Sequence, residues 1–329
     1  MNFGFNDEQT EIKSTARQFL ENRFKPSVVR ELAEAGRYDE GLWKEICELG
    51  WAGIALDDEH GGQGLGMVEL VILCEELGYA CAPTPFLANA CAGLALEWAG
   101  SDAQQEGLAG IAAGDARGAV GSPEAFIDAE GAAVPIVFDE DGARILDPDS
   151  MSFERIDAID QTRGYSKPSS VDGEPLPGDV DAASQRICVA AAAELVGIGQ
   201  RALDMAVEYA KDRHQFERPI GAYQAVSHNC AGMLYDVEEA RSLTYYAAWA
   251  ADAQPESLPM AAAMAKARAS DAAWEITKAS LQVHAGIGFT WEHDLHFLLK
   301  RARAGAQLFG TAAQHRDRVA GLAGMGSGN

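Results

Sequence analysis

The chain is short of positive charge. Against 50 Asp and Glu stand 26 Lys and Arg, a formal net charge of -24 at pH 7. A surface this acidic repels nucleic-acid phosphates and anionic lipid, so neither is an expected partner. An anionic substrate would need a local basic pocket. Long apolar runs are missing as well: no stretch approaches the ~20 residues needed to span a bilayer. Met1 to Ile12 carries charge early and has no apolar core of signal-peptide length. The cysteines (Cys47, Cys74, Cys81, Cys91, Cys188 and Cys230) lack C-x-x-C spacing, and most lie in apolar stretches. They read as reduced, buried thiols, which argues against a zinc site and for a cytoplasmic protein. No internal repeat is visible. The one low-complexity segment is the Gly- and Ser-rich tail, Gly321 to Asn329, which is expected to fray.

What remains is a chain of 329 residues, 47% hydrophobic and 23% charged, long enough for a sizeable core and two or three domains. Composition divides it into three. From about residue 1 to 115 the pattern is helical. Ile12, Ala16, Phe19 and Leu20 fall at helix spacing, and Asn6 with Gln9 forms a capping-box-like start. Leu42–Leu49, Met67–Leu77 and Ala88–Trp98 read as further helices, and Glu59–Gly64 as a glycine-rich tight loop. From 116 to 180, short apolar pieces (Gly118–Gly121, Ala132–Phe138, Ala143–Leu146) alternate with turn residues, as in a few strands. Tyr165–Gly178 reads as a linker or an irregular surface strand. From 181 to 329 the pattern predicts long helices over Val180–Arg213, Tyr223–Ala251, Leu258–Ala285 and Asp294–Leu322, an antiparallel four-helix bundle with a frayed tail.

Three segments carry a family resemblance. Glu59-His60-Gly61-Gly62-Gln63-Gly64 resembles the glycine-rich turn of acyl-CoA dehydrogenases. Arg213-His214-Gln215-Phe216-Glu217-Arg218-Pro219-Ile220-Gly221-Ala222-Tyr223-Gln224 resembles that family's Arg-x-Gln-Phe-Gly-Arg-Pro-Ile-Gly-x-Phe-Gln stretch. Gln282-Val283-His284-Ala285-Gly286-Ile287-Gly288-Phe289 resembles its Gln-x-x-Gly-Gly-x-Gly-Phe stretch. The resemblance covers the first and last thirds. It implies a mainly α fold with a small β middle region: N-terminal helical domain, reduced β domain, C-terminal four-helix bundle. It also implies FAD as cofactor, an acyl-CoA thioester as substrate, and α,β-dehydrogenation as the reaction. Electrons usually pass on to an electron-transfer flavoprotein.

The residues suit the role the resemblance gives them, which is to hold the FAD of a neighbouring subunit. Arg213 offers a donor fork for a pyrophosphate and Phe216 a flat apolar face. Gln215, Gln224 and Gln282 supply amides, and Gly286 and Gly288 allow close backbone approach. Thr311 is the family's Thr of Tyr-Glu-Gly-Thr. Glu217 and Ala285 stand where the family has glycines. Ala285 adds a methyl at the approach to phosphate, and Glu217 adds a negative charge beside it.

The middle and the base depart further. The family's Thr-Glu-Pro-x-x-Gly-Ser-Asp and Trp-Ile-Thr-Asn segments are absent, and Gly121-Ser122-Pro123-Glu124 is the nearest remnant of the first. Phe309, within Leu308-Phe309-Gly310-Thr311, occupies the position of the catalytic Glu, and phenylalanine cannot abstract a proton. In members with the Glu on the first bundle helix, the matching residue here is Ile187. Glu194 lies two helical turns later on the same face. It is either a base in an apolar pocket with a raised pKa, or a structural carboxylate paired to an Arg of the bundle. His228 and His284 read as satisfied polar residues. His293 and His296 mark a helix start at Asp294 and not a metal site.

The expectation is thus a short subunit that completes its active site with a full-length partner chain, as in the heteromeric members of the family that act in bacterial steroid side-chain breakdown. The alternatives are a self-sufficient homo-oligomer using Glu194, and a non-catalytic scaffold.

Overall fold

The computed structural model describes residues 4–325. The first layer is helical: α1 (Asp7–Arg23), α2 (Pro26–Ala35), α3 (Glu40–Glu48), α4 (Met67–Tyr79), α5 (Phe86–Ala99) and the short α6 (Asp102–Gln105) and α7 (Leu108–Ala113). Helix α1 begins where Asn6 and Gln9 close a reciprocal capping box. Its Asp7 and Glu8 stand at the positive end of the helix dipole and Arg23 at the negative end. Glycine-rich Gly61–Gly64 is a tight turn after a single 3-10 turn at Asp58–His60.

The middle is more ordered than the sequence indicates. Strands β1 (Gly118–Gly121), β2 (Phe126–Ile127), β3 (Val134–Asp139), β4 (Gly142–Leu146), β5 (Phe153–Arg155), β6 (Tyr165–Pro168) and β7 (Gly173–Pro175) form one sheet in the order β5-β6-β2-β1-β3-β4-β7. The pairings are antiparallel except β1 with β3, which runs in parallel from Gly118↔Val134 to Gly121↔Val137. Tyr165–Gly178, expected as linker or irregular strand, supplies β6 and β7. Their prolines are tolerated because β6 is short and β7 lies on the sheet edge.

The last layer is the bundle: α8 (Val180–Asp212), the β8–β9 hairpin (His214–Gln215 and Arg218–Pro219), α9 (Gln224–Ala253), α10 (Leu258–His284), α11 (Leu295–Gly305) and α12 (Ala312–Leu322). Helix α8 is the axis of the molecule. Ala190–Ala193 are all buried in it, and small side chains let α4 approach closely. At Gly197 an added Cβ would run into the Glu75 carbonyl oxygen, and at Gly78 it would run into that of Glu194. Backbone meets backbone there, so only glycine fits.

The expected single helix Asp294–Leu322 is corrected to two. The chain breaks at Ala306–Thr311, where Phe309 and Gly310 take φ of 57° and 100°. Thr311 then caps α12 through a capping box with Gln314. Of the tail expected to fray, Gly321 and Leu322 still belong to α12, and residues 326–329 lie outside the described residues.

Candidate functional site

The candidate residues fall in three places along α8: a rim at its C-terminal end, the Phe309–Thr311 loop beside Cys188 in its N-terminal part, and Glu194 near its middle. Helices α8 and α10 both end, and α9 begins, at one pole of the bundle. Tyr209, in the last turn of α8, stacks on His284, the last residue of α10, with ring centroids 4.7 Å apart. That contact brings Arg213, Gln215, Phe216 and Gln224 to the same pole as Gln282, Ala285, Gly286 and Gly288.

This pole is a solvent-facing rim. Phe216 is 87% exposed and Phe289 72% exposed, an unusual state for large aromatics in a folded chain. Among the described residues Lys211, Arg213 and Arg218 form no ion pair, and Arg218 lies over the Tyr223 ring at 4.0 Å. A Cβ at Gly286 would meet nothing within 4 Å, so its backbone faces open space. Cations, amides, an open backbone and flat apolar faces together form the donor set that a dinucleotide needs.

The backbone of the rim is strained. The β8–β9 hairpin pairs His214 with Pro219 and Gln215 with Arg218, leaving Phe216–Glu217 as a two-residue loop. Both have positive φ, 51° and 65°. This is the I′ class of turn, for which Asn-Gly is the favoured sequence. Ala285 has φ 50° and ψ -135°, a region that a side chain disfavours. Glu217 and Ala285 therefore hold the conformation that glycines adopt without strain.

Thr311, Phe309 and Glu194 are not at this pole. Cys188 Sγ lies 3.6 Å from the Phe309 carbonyl oxygen. At 1.5 Å rise per residue, Cys188 is roughly 37 Å along α8 from Arg213. Thr311 acts as an N-cap, accepting from the Gln314 amide. The Phe309 loop is clamped from inside. Its carbonyl accepts a 2.9 Å contact from His315 Nε2. Lys266 Nζ donates to Gly310 O at 3.2 Å and reaches Gly305 O and Ala306 O at 3.4 Å each. Gly305 O, which also accepts the Leu308 N–H, and Ala306 O lie at the end of α11, and Gly310 O lies in the loop beyond it. Burial pushes the Lys266 ammonium down to about 8.

Glu194 sits midway along α8 in a buried ionic network. Its Oε1 accepts from Arg163 Nη2 at 2.6 Å and from Arg301 Nη1 at 3.0 Å, and its Oε2 accepts from Arg163 Nη1 at 3.1 Å. Arg301 also pairs with Asp160 at 2.9 Å, and Arg163 with Asp128 at 3.4 Å. Of the two readings of Glu194, the geometry is that of a carboxylate paired to arginines, and the raised pKa of the other reading is not found. Burial alone would push its carboxyl up, but the two guanidiniums overcome this and hold it below the ordinary range. Nothing in the local sequence around Arg163, Arg301, Asp128 or Asp160 marks them as members of one network. For the separate clamp on the α11–α12 loop there is a local signal, Lys266, a cation directly after the apolar run Ala261–Ala265.

The surface around the start of α8 is acidic. Asp139, Glu140, Asp141, Asp179 and Asp181 line an open depression with Ser184, one turn before Ile187. Asp139 is paired to Arg144, and Arg318 lies 3.6 Å from Asp181. The remaining carboxylates repel a polyanionic ligand such as a coenzyme A thioester. Among the described residues no cluster could hold a metal ion, and no helix is long and apolar enough to cross a membrane.

Comparisons with known proteins identify the family of the chain. Residues 6–115 match the family described as acyl-CoA dehydrogenase, N-terminal domain, and residues 182–322 match acyl-CoA dehydrogenase, C-terminal domain. Acyl-CoA dehydrogenase IpdE2 of Mycobacterium tuberculosis is 34% identical over 308 residues, covering 92% of this chain and 93% of that protein. A solved variant of the Tcur3481–Tcur3483 steroid ACAD superposes with a TM-score of 0.86 at 27% identity, covering 97% of this chain and 98% of that one. A structure of the electron transferring flavoprotein of Acidaminococcus fermentans superposes with a TM-score of 0.87, also at 27% identity, covering 98% and 99%. With both terminal regions matched and a relative this similar over nearly its whole length, the chain belongs to the acyl-CoA dehydrogenase family of flavoprotein oxidoreductases, which act on CH–CH donors.

Proposed function

We propose that this chain is the short subunit of a two-chain acyl-CoA dehydrogenase, and that its rim grips an FAD seated mainly in a full-length partner. The observation that carries the reading is the separation along α8. An exposed nucleotide-type rim stands at one end, while the two base positions, far from it along α8, hold Phe309 and Ile187 and no carboxylate. The chain thus has one half of a redox site and lacks the reactive half. The units 1–115, 116–180 and 181–329 divide the work, the last carrying the rim.

Bound FAD would supply the hydride acceptor for dehydrogenation of the thioester. This chain's residues bind and orient. Arg213 would pair with the pyrophosphate, Phe216 would cover an apolar edge, and Gln215, Gln224 and Gln282 would satisfy polar atoms. Gly286 lets the backbone come close, and Gly288, buried beneath it, shapes the loop. The partner supplies the base. Glu194 is a structural carboxylate that ties the sheet to the bundle. The steroid ACAD similarity favours a steroid-derived acyl group, a heterotetramer as the assembly, and an electron-transfer flavoprotein as acceptor.

Co-expression tests the reading. Alone, the chain is expected to be colourless and inactive. With a full-length relative from the same genome it is expected to copurify as a yellow, active complex, and Arg213→Ala should lower the flavin content of that complex. A lone chain with full flavin absorbance and acyl-CoA dehydrogenase activity refutes the proposal. Copurification that leaves the partner's flavin and rate unchanged would instead identify a scaffold.

A further inference from the structure

A second site lies away from the rim and from the base position. Helices α1, α4 and α8 and the start of α11 enclose a cleft of about 170 Å³. Its floor is apolar: Leu20, Phe24, Val29, Phe297 and Leu298 are all buried. Its rim is polar and partly pre-set. The Tyr79 ring carries the Arg17 guanidinium at 3.5 Å and the Arg201 guanidinium at 5.4 Å from its centroid. The Tyr79 hydroxyl donates to Asp204 Oδ2 at 2.9 Å, which fixes the ring and with it the approach of Arg201.

The rim charges are unevenly committed. Arg17 and Lys13 share the buried Glu76, and Arg30 takes Asp294 at 2.5 Å. Arg201 and Lys25 form no ion pair among the described residues. Glu21, exposed at the edge, is the remaining carboxylate. An otherwise strongly acidic chain therefore leaves two cations over an apolar floor.

We propose that this cleft binds a small monocarboxylate with a compact apolar body, such as a cycloalkane- or arenecarboxylate. The planar fork of Arg201 and the ammonium of Lys25 take the carboxylate, and Leu20, Phe24 and Phe297 take the ring. Size supports the choice: a dry cavity of about 150 Å³ accommodates benzene, and the carboxylate occupies the open side. A dianionic phosphate is disfavoured by the exposed Glu21 at the edge. The site is independent of the FAD reading.

The test is isothermal titration of the purified full chain with cyclohexanecarboxylate, checked by ligand-observed NMR. About nine heavy atoms at ordinary ligand efficiency set a Kd on the order of 1 mM. Saturable binding of one ligand per chain is expected, with cyclohexanemethanol and acetate each at least about tenfold weaker. Arg201→Gln should cost at least about tenfold in Kd, equivalent to ~1.4 kcal/mol. Lys25→Gln, on an exposed side chain, should weaken binding without touching the fold. Met205→Trp should fill the cleft and abolish binding. Absence of saturable binding at about ten times the expected Kd overturns the proposal. So does equal affinity for cyclohexanemethanol, or affinity unchanged in all three variants.

Discussion

Glu194→Gln separates stability from catalysis. The glutamine keeps one acceptor oxygen for Arg163 and Arg301, but its amide group faces Arg163 Nη1, which now lies 3.1 Å from Oε2. One charge-assisted hydrogen bond becomes a donor–donor contact, and two buried guanidiniums lose a shared counter-charge. Removing one partner of a buried ion pair costs about 3–5 kcal/mol. Arg163 retains Asp128 and Arg301 retains Asp160, which places the expected loss near the lower bound. At roughly 2 °C per kcal/mol for a chain this long, the melting temperature should fall by about 6 °C. The effect should depend on pH. Because the folded carboxyl is held below its ordinary value, the unfolded chain binds more protons near pH 4. Glu194's contribution is therefore full above its unfolded pKa and lost as pH falls through the folded one. Wild type and variant should converge under acid. The assay is denaturant unfolding across pH, with turnover measured on the co-purified pair. A base contributes about 10²–10⁴-fold to rate. A turnover loss of that size with unchanged stability would refute the structural role and restore Glu194 as base.

Lys266→Met tests the clamp on the α11–α12 loop. The folded ammonium titrates near 8, below its unfolded value, so the unfolded chain holds more protons between the two. Wild type should gain on the variant as pH rises from about 8 to about 10, by ~1.4 kcal/mol for each pH step of one across that window. A flat difference in unfolding free energy would contradict this. Ala285→Gly should stabilise the lone chain by about 1 kcal/mol, since relief of a φ 50° strain exceeds the entropy that glycine adds to the unfolded state. A lower melting temperature in Ala285→Gly would show that the strain is not there.

The sequence was legible where structure is local. Asn6 and Gln9 announce α1, and α8, α9 and α10 follow their periodic patterns to within a few residues. The rim was legible because its residues are consecutive in two short stretches. The ionic network was not, because its partners are far apart in the chain: Arg163 meets Glu194 across 31 positions, and Arg301 meets it across 107. Charge at one position does not say which distant charge it meets. The sheet was half legible for a related reason. Strands β2, β5 and β7 are only two or three residues long, too short for any alternation to stand out from the turns around them.

Strain points to where function remains. Phe309 and Gly310 hold positive φ, but His315, Cys188 and Lys266 fix their carbonyls, and the loop closes the end of α11. Bundle closure alone accounts for that conformation, so its survival without a carboxylate calls for no catalytic role. Phe216, Glu217 and Ala285 are strained to a similar degree, yet all three are exposed. Apart from the hairpin's own pairing, little inside the chain compensates them. An outlier held from within is architecture, whereas an exposed one persists at a cost to the isolated chain. On the proposed function, the compensation for the rim comes from what would sit on it, and a flavin nucleotide carried by a second chain would have the charge, the flat faces and the close backbone contacts to supply it.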